Sequence, residues 1–509
     1  MPQVLFNEIA SNNFLLAPST FKWAKINSLI ENLKAKYKNL LDDFKSFDGF
    51  AFPSSDYVTH YTDLINKTPL IQIGNVNDDS WIVSRDQKFE YLPNKYLLSK
   101  SKFLLNNKCV LISLTGGAES ENDISAFFDA DFPAFLNQRV SAYFNKTNND
   151  DTTYLFYALT KHNFFRYQWL GKGGIQKNTV SNERDNAYIP KIKNSKAVKY
   201  VSTLTRVVLQ IEKEIRKKHF KINELIKNEI ESNQLPHQFQ YEFPSLDDLK
   251  FAARFDTNVF TPYFKSEEFK IRNYKSGYSS IENLGFEISR GQNLQISNIG
   301  ESVYSEKHYD GFYTLMLPKH LSRYGTVNKV EYLGNRRELK TLKKGDLIFG
   351  AEGFEKGRSI VILDERSRTI TNIHGITLHH KQKNIQLSIF IKCFLDYLRN
   401  IGLIDRYAVG GNGGSLAMKY WSIIPFPNFP DTKQKEIANL YHNPQAILDT
   451  STSKLTVDNF VQIDNSFNEK AGITELDLTA KRLKERLDEV IDKIVKDQTI
   501  NITFNFLQI

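Results

Sequence analysis

Between Val201 and Ile230 the chain reads VSTLTRVVLQIEKEIRKKHFKINELIKNEI, with no glycine or proline to break it. Val201, Val208, Ile215 and Ile222 recur at heptad spacing. Leu204, Ile211 and Leu225 fall three positions further on, with only Lys218 interrupting. This is an apolar a/d seam on a helix. At ~1.5 Å per residue the segment is a rod on the order of 45 Å long. Near the C-terminus Ile473, Ala480, Leu487 and Ile494 interleave with Leu476, Leu483 and Val490 in the same way. One such helix could be an ordinary long core helix. Two matched seams in one chain point instead to an intramolecular antiparallel pair, about which the rest of the sequence is arranged.

The chain has 509 residues, enough for more than one core. Its hydrophobic fraction of 41% and charged fraction of 25% are those of a globular protein and exclude a disordered one. The start, MPQVLFNEIASNN, lacks the basic and apolar regions of a signal peptide, and no apolar run is long enough to span a bilayer, so a cytoplasmic location with no membrane contact is expected. The two cysteines, Cys109 and Cys393, each lie in an apolar run and read as buried thiols. They suggest neither a disulfide framework nor a zinc site, and no metal or bound cofactor is expected. A net charge of +9 favours polyanionic partners without naming one.

In chain order, 21–47 reads as an amphipathic helix carrying Ile26, Leu29, Ile30, Leu33, Tyr37, Leu40, Leu41 and Phe44 on one face. Short strand-like runs follow from Pro69 to Pro190, then the rod. A proline-containing linker, QLPHQFQYEFPS, leads to a second globular region ending near Pro430.

The second region repeats the first. Ile71 to Val76 is answered by Leu294 to Ile299, and Cys109 to Leu114 by Gly345 to Gly350. Phe135 to Val140 is answered by Thr371 to Ile376, and the helix Tyr154 to Phe165 by Leu387 to Asn400. The glycine-rich loop Gly171 to Asn178 is matched with Gly410 to Leu416, and Ile189-Pro190 with Ile424-Pro425. The expected architecture is therefore α/β in the α+β sense. Two homologous modules, held apart by long antiparallel coiled-coil helices, make a pseudo-two-fold object. Its expected divisions are a first module at 1–195, a central helix at 196–232, a second module at 233–430, and a C-terminal helical region at 431–509 with its coiled-coil helix at 472–496. Such an object suits a ligand with two addresses a fixed distance apart. Double-stranded DNA is one, with half-sites about one turn, ~34–36 Å, from centre to centre.

These residues also resemble the specificity subunits of type I restriction-modification systems. The likeness is carried by FLNQRV at Phe135 to Val140, the GKGGIQKN loop leading to Ile189-Pro190, and LKKGDLIFG at Leu342 to Gly350. It continues through GGNGGSLAMKYWSIIPFP and the following TKQKEIANL at Thr432 to Leu440. It covers nearly the whole chain. The sequence departs from the family's pattern in the helix ahead of the first module and in the segment 443–471, which interrupts the second helix. The resemblance implies two target-recognition domains that each read half of a bipartite DNA site, with helices setting the spacer. It implies partner methyltransferase (modification) subunits that carry the S-adenosylmethionine chemistry, with or without a restriction subunit. This chain would then be non-catalytic.

A reader needs donors to phosphate and Arg, Lys, Asn or Gln side chains able to reach base edges. Loop residues Lys172, Gln176, Lys177 and Asn178 have that character in the first module, and Arg406, Asn412, Ser415 and Lys419 in the second. Arg139, Arg290, Gln292, Asn293, Lys356 and Arg358 are further candidates. The bland reading of the glycine-rich loops, that they only reverse the chain, stays open. No Asn/Asp-Pro-Pro-aromatic motif for a flipped adenine is present; Asp131-Phe132-Pro133 lacks its pattern. Two acid–lysine sets, Asp256 with Glu268 and Lys270, and Asp310 with Glu338 and Lys340, leave a self-contained metal-dependent endonuclease as an alternative. A protein-binding scaffold is another. His379 and His380 would face opposite sides of a strand, which argues against one shared metal site.

Overall fold

A computed structural model describes residues 18–58, 67–76, 80–115, 124–169, 186–364, 368–410, 413–448 and 455–507. The chain divides into two compact units. The first comprises Met1–Lys213, Leu448–Glu469 and Leu478–Ile509; the second comprises Glu214–Ile447 and Lys470–Asp477.

The first described element of the first unit is helix α1 (Pro18–Asn32), which ends well before the expected limit of 47. Strands β1 (Tyr37–Asn39) and β2 (Phe44–Asp48) occupy the remainder. The misreading has a simple cause. Tyr37, Leu40 and Phe44 fit a helical spacing, yet β1 is claimed by a strand far along the chain, β10 (Tyr188–Pro190), which pairs with it antiparallel.

β2 borders an antiparallel sheet ordered β2-β9-β6-β7, built from β6 (Cys109–Ser113), β7 (Ser125–Phe128) and β9 (Val140–Asn145). A second sheet is ordered β4-β3-β8-β5, from β3 (Thr68–Ile71), β4 (Glu90–Leu92), β5 (Leu104–Leu105) and β8 (Ala134–Leu136), with β3 and β8 parallel. β6 is buried along its whole length because both its faces are covered. Cys109 and Leu111 pack with Ala126, Phe128, Leu136, Val140 and Ala142. Helix α2 (Asp150–Lys161) lies on β6, β7 and β9 and is followed by α3 (Asn163–Trp169).

The second unit contains helices α5 (Leu246–Ala252) and α6 (Pro262–Arg272), followed by a β-rich module. Strands β11 (Tyr278–Ser279) and β20 (Phe426–Pro427) pair as β1 and β10 do. Strands β12 (Phe286–Arg290), β16 (Leu347–Gly350), β17 (Ser359–Val361) and β19 (Gly375–His380) form a sheet ordered β12-β19-β16-β17. A further sheet is ordered β13-β15-β14-β18, from β13 (Ser302–Ser305), β14 (Tyr313–Leu315), β15 (Glu331–Asn335) and β18 (Thr369–Ile370), with β14 and β18 parallel. Helix α7 (Ile385–Asn400) packs on β17.

The duplication therefore holds in the strand order of the first of these sheets in each module and in the parallel pair of the other, whose edges differ: β5 borders β8 in the first module, and β13 borders β15 in the second. It extends to local chemistry. Asn149 caps α2 by accepting from the Thr152 N–H, as Asn384 caps α7 by accepting from that of Leu387. The residue before each cap, Asn148 or Lys383, has the same left-handed backbone, φ 54° and 55°. The Ser125 hydroxyl meets Thr160 on α2 at 2.8 Å, and Ser359 meets Asp396 on α7 at 3.1 Å.

The register also corrects four matches read from the sequence. β3, which ends at Ile71, corresponds to β14, since each runs parallel to the strand before its module's turn asparagine, so Leu294 to Ile299, which carries a short helix at Ile296–Ile299, is not its counterpart. Ser113 lies opposite Val140 and Gly350 opposite Gly375, so 109–114 corresponds to 346–351, one position on from the expected pairing. Pro190 lies opposite Tyr37 and Pro427 opposite Tyr278, so Ile189-Pro190 corresponds to Phe426-Pro427 and not to Ile424-Pro425. Asn137 corresponds to Asn372, a shift of one position from the expected pairing, because Phe50 bridges Asn137 in parallel as Gln292 bridges Asn372.

The long seam is one helix, α4 (Ser195–Ser232), and the C-terminal seam is α10 (Ile473–Val495). Before α10 come α8 (Asp431–Tyr441) and α9 (Phe460–Lys470), the latter within the interrupting segment. In the first unit Val201, Leu204, Val208 and Ile211 of α4 and Leu483, Leu487 and Val490 of α10 are buried. There Lys484 pairs with Glu212 at 2.7 Å, and the Arg486 Nε donates to the Tyr200 hydroxyl at 3.3 Å. Numbers rise along one helix as they fall along the other, the sense of an antiparallel pair.

In the second unit Ile215 and Ile222 are buried on α4, as is Leu476 on α10. Leu225 and Ile494, expected in the seam, are only half-buried. Their places are taken by Ile226, and by Ile491 and Val495. A strict heptad drifts about 20° per repeat against the 3.6-residue turn of a straight helix, so the buried stripe steps to the neighbouring position at the ends.

Candidate nucleic-acid interface

The turn between β8 and β9 and its counterpart between β18 and β19 are held by the same device. Gly49 and Gly291 pass so close to these turns that a Cβ on either would sit 2.2 Å from the Asn137 carbonyl oxygen or 2.1 Å from that of Asn372. The turns close through Val140 N–H to Asn137 O at 2.9 Å and Gly375 N–H to Asn372 O at 3.0 Å. The asparagine side chain then accepts from the backbone N–H two residues on, Arg139 at 3.1 Å and His374 at 3.3 Å. Those residues in turn accept from equivalent partners, Leu114 N–H at 2.9 Å and Ala351 N–H at 3.1 Å. The frame is identical and the exposed side chain on it differs: Arg139 in one module, His374 in the other.

In the second module this turn borders a cleft of about 750 Å³, lined among others by Lys319, Glu352, Phe354, Asn372, His374 and Ser415. Glu352 organises its wall. One carboxylate oxygen meets His374 Nδ1 at 2.6 Å, and the other accepts from Arg290 Nη1 at 3.1 Å. Burial pushes the Glu352 carboxyl up, but the bonds from His374 and Arg290 outweigh it and leave it below its ordinary value. Arg290 also donates to the Ile373 carbonyl at 2.9 Å, which ties β12 to the turn. Phe354, 83% exposed, stands on the neighbouring loop.

The remaining candidates separate by environment. Gln292 is half-buried beside the Asn372 bridge. The Asn293 side chain accepts from the Gln295 N–H at 3.1 Å and closes a local turn. Arg406 is half-buried on a short helix, Leu403–Tyr407, and Lys419 is exposed with its ammonium over the Tyr420 ring. Ser415 pairs its backbone with Val409 across the glycine-rich reversal.

Lys356 and Arg358 are structural. Lys356 is buried against Asp405 and the Gly413 carbonyl, and Arg358 donates to Leu321 O at 2.7 Å and pairs with Glu355 at 2.6 Å. A Cβ on Gly413 would lie 2.6 Å from the Gly353 backbone, so that glycine serves loop packing. Lys172, Gln176, Lys177, Asn178 and Asn412 lie outside the described residues.

The acid–lysine sets are committed elsewhere or dispersed. Arg254 holds Asp256 through two bonds of 2.6 Å, Glu268 accepts from Arg272 and Tyr407, and Lys270 pairs with Glu267 at 2.6 Å. Asp310, Glu338 and Lys340 are exposed loop residues. Among the described residues no group of three or more His, Cys, Asp or Glu could hold a metal ion. His379 pairs with Asp346 while His380 packs edge-on to Phe286, on the opposite side of β19. Burial pushes both cysteine thiols up.

No protein-family model matches this chain, and no functionally curated protein matches it. Solved structures do. A type I restriction-modification system S subunit from M. genitalium is 12% identical, with 91% of this chain and 96% of that chain covered and a TM-score of 0.40. The HsdS subunit from Thermoanaerobacter tengcongensis is 11% identical, with 90% and 97% covered and a TM-score of 0.25. A chain from a structure described as showing complex assembly and conformational transition of the type I R-M system is 11% identical, with 89% and 97% covered and a TM-score of 0.25. Among the described residues no helix is long and apolar enough to cross a membrane.

Proposed function

We propose that this chain is the DNA sequence-specificity subunit of a type I restriction-modification complex. It reads a bipartite site with its two modules and directs methyltransferase subunits, with or without a restriction subunit, to that site. The observation that carries this reading is the duplicated frame with unlike exposed tips. Two modules share the order and register of one four-stranded sheet, the helix caps and the turn geometry, yet present Arg139 in one and His374 in the other. A scaffold binding one protein partner twice would have no reason to keep the frame and change the tip. Two unlike half-sites give that reason. The chain carries no S-adenosylmethionine chemistry in this reading, which falls to the methyltransferase partner. The net charge of +9 fits phosphate contacts that position without specifying.

The test is to express the chain with a type I methyltransferase subunit and map adenine methylation across the host genome. A two-part motif with a fixed unspecified spacer is the expected result, and exchanging residues 48–195 for those of another such subunit should change one half only. A stable complex that leaves no new methylation would overturn the reading. Duplex affinity that does not fall with salt would argue for a protein-binding scaffold.

A further inference from the structure

We infer that Arg139 and His374 are the paired specificity-determining side chains of the two modules, each reading a base at the equivalent position of its own half-site; this rests on the reader function proposed above. Three observations converge on these positions. Each is separated from its turn asparagine by one residue, and the turn is fixed by a glycine that no larger residue could replace without a clash near 2 Å. Each backbone is held at both ends, by the asparagine side chain on the N–H and by Leu114 or Ala351 on the carbonyl. Each side chain is exposed, so holding the backbone places the side chain without burying it.

A rigid mount for an exposed, exchangeable donor is what direct readout of a base edge requires, because discrimination depends on bond geometry held to fractions of an ångström. The two tips differ in what they can recognise. An arginine guanidinium matches the O6 and N7 acceptors of guanine in a two-pronged contact. His374 is oriented by Glu352, whose carboxylate takes Nδ1 at 2.6 Å while Arg290 holds its other oxygen. That leaves Nε2 as the ring atom for a base. In the first module register places Thr115 where the second has Glu352, so no carboxylate orients Arg139 from that position. The two modules are therefore built to favour different bases at this position, the first a guanine.

The test uses the full chain in complex with the methyltransferase subunit and reads base preference at every motif position from genome-wide adenine methylation. Arg139→Ala should relax one position of one half-motif by on the order of 10- to 100-fold, and His374→Ala one position of the other half. Neither should change the spacer. His374→Arg should move the preference at its position toward guanine, a gain that misfolding cannot mimic. If the wild-type complex marks a bipartite motif and all three variants mark the same motif with unchanged preferences, this assignment is wrong and the reader function stands. A uniform loss at every position with a shallower salt dependence would make these residues phosphate contacts and overturn it equally. Absence of any bipartite motif with the wild-type chain would remove the reader function itself, and this assignment with it.

Discussion

Asp464 on α9 is fully buried. One carboxylate oxygen accepts from the Asn468 amide at 2.6 Å, and the other has no hydrogen-bond partner among the described residues. Burial pushes its pKa up to about 7, against a smaller lowering by Asn468. A folded-state pKa above the unfolded value means that the fold favours the protonated acid. The contribution is fully present below the unfolded pKa near 3.8 and is lost as pH rises to about 7. Asp464→Asn keeps an acceptor for Asn468 and removes the charge. It should raise stability progressively with pH, by about 1–2 kcal/mol at pH 5 and by up to roughly 4 kcal/mol at pH 8. Thermal melts at the two pH values check this, and a substituted chain that gains nothing at pH 8 would refute it. None of this was legible in the sequence, since Asp464 sits in the segment that reads only as an interruption. Lys356 and Arg358 failed as readers for a related reason: the groups that bury them, Asp405, Gly413 and Leu321, come from distant parts of the chain. His374 and Glu352 were missed as a site because their significance lies in equivalence to Arg139 and Thr115. The signal was present as the asparagine two residues before each tip, at the same sequence offset as the paired helix caps.

Periodicity made the helices legible, and partnering decided what periodicity could not. The a/d seams of α4 and α10 were readable because a glycine-free run with heptad apolar spacing admits few other folds. The end of α1 was not, because β1 exists only by pairing with β10. Module identity was readable in residue order, while its register awaited the strand pairs. In the first unit the α4–α10 pair depends on one residue beyond its seam. Glu212 accepts from Lys484 at 2.7 Å, from the Ser80 hydroxyl at 2.9 Å and from the Trp81 N–H at 2.8 Å, and its side chain is only 11% exposed. It thus joins α4 to α10 and to the module at once. Removing one member of a largely buried pair leaves the others unpaired, at a cost of about 3–5 kcal/mol. Glu212→Ala is expected to speed amide exchange in residues 478–495 by on the order of 100-fold, with little change in residues 286–380 of the second unit. Exchange in 478–495 at the wild-type rate would show that the apolar seam alone holds α10.

At the scale of the whole molecule, the chain passes between the compact units four times, and two of those crossings fall inside the long helices; the other two are at 447–448, outside any helix, and at 469–470, at the end of α9. The boundary crosses α4 between Lys213 and Glu214 and α10 between Asp477 and Leu478. If these helices set the distance between the two half-sites, lengthening both at the crossing should lengthen the DNA spacer and nothing else. Seven residues preserve the apolar seam approximately and add about 10 Å of rise, close to three base pairs at ~3.4 Å each. Matched seven-residue insertions after Lys213 and after Asp477 should therefore leave both half-motifs unchanged and add about three unspecified base pairs between them. An insertion of two residues turns the seam by about 200°, away from its partner, and should instead weaken the complex. Methylation mapping of the inserted chain decides the matter: an unaltered spacer would mean that α4 and α10 stabilise the modules without measuring the DNA, and a changed half-motif would mean that reading and spacing are not separable functions of this chain.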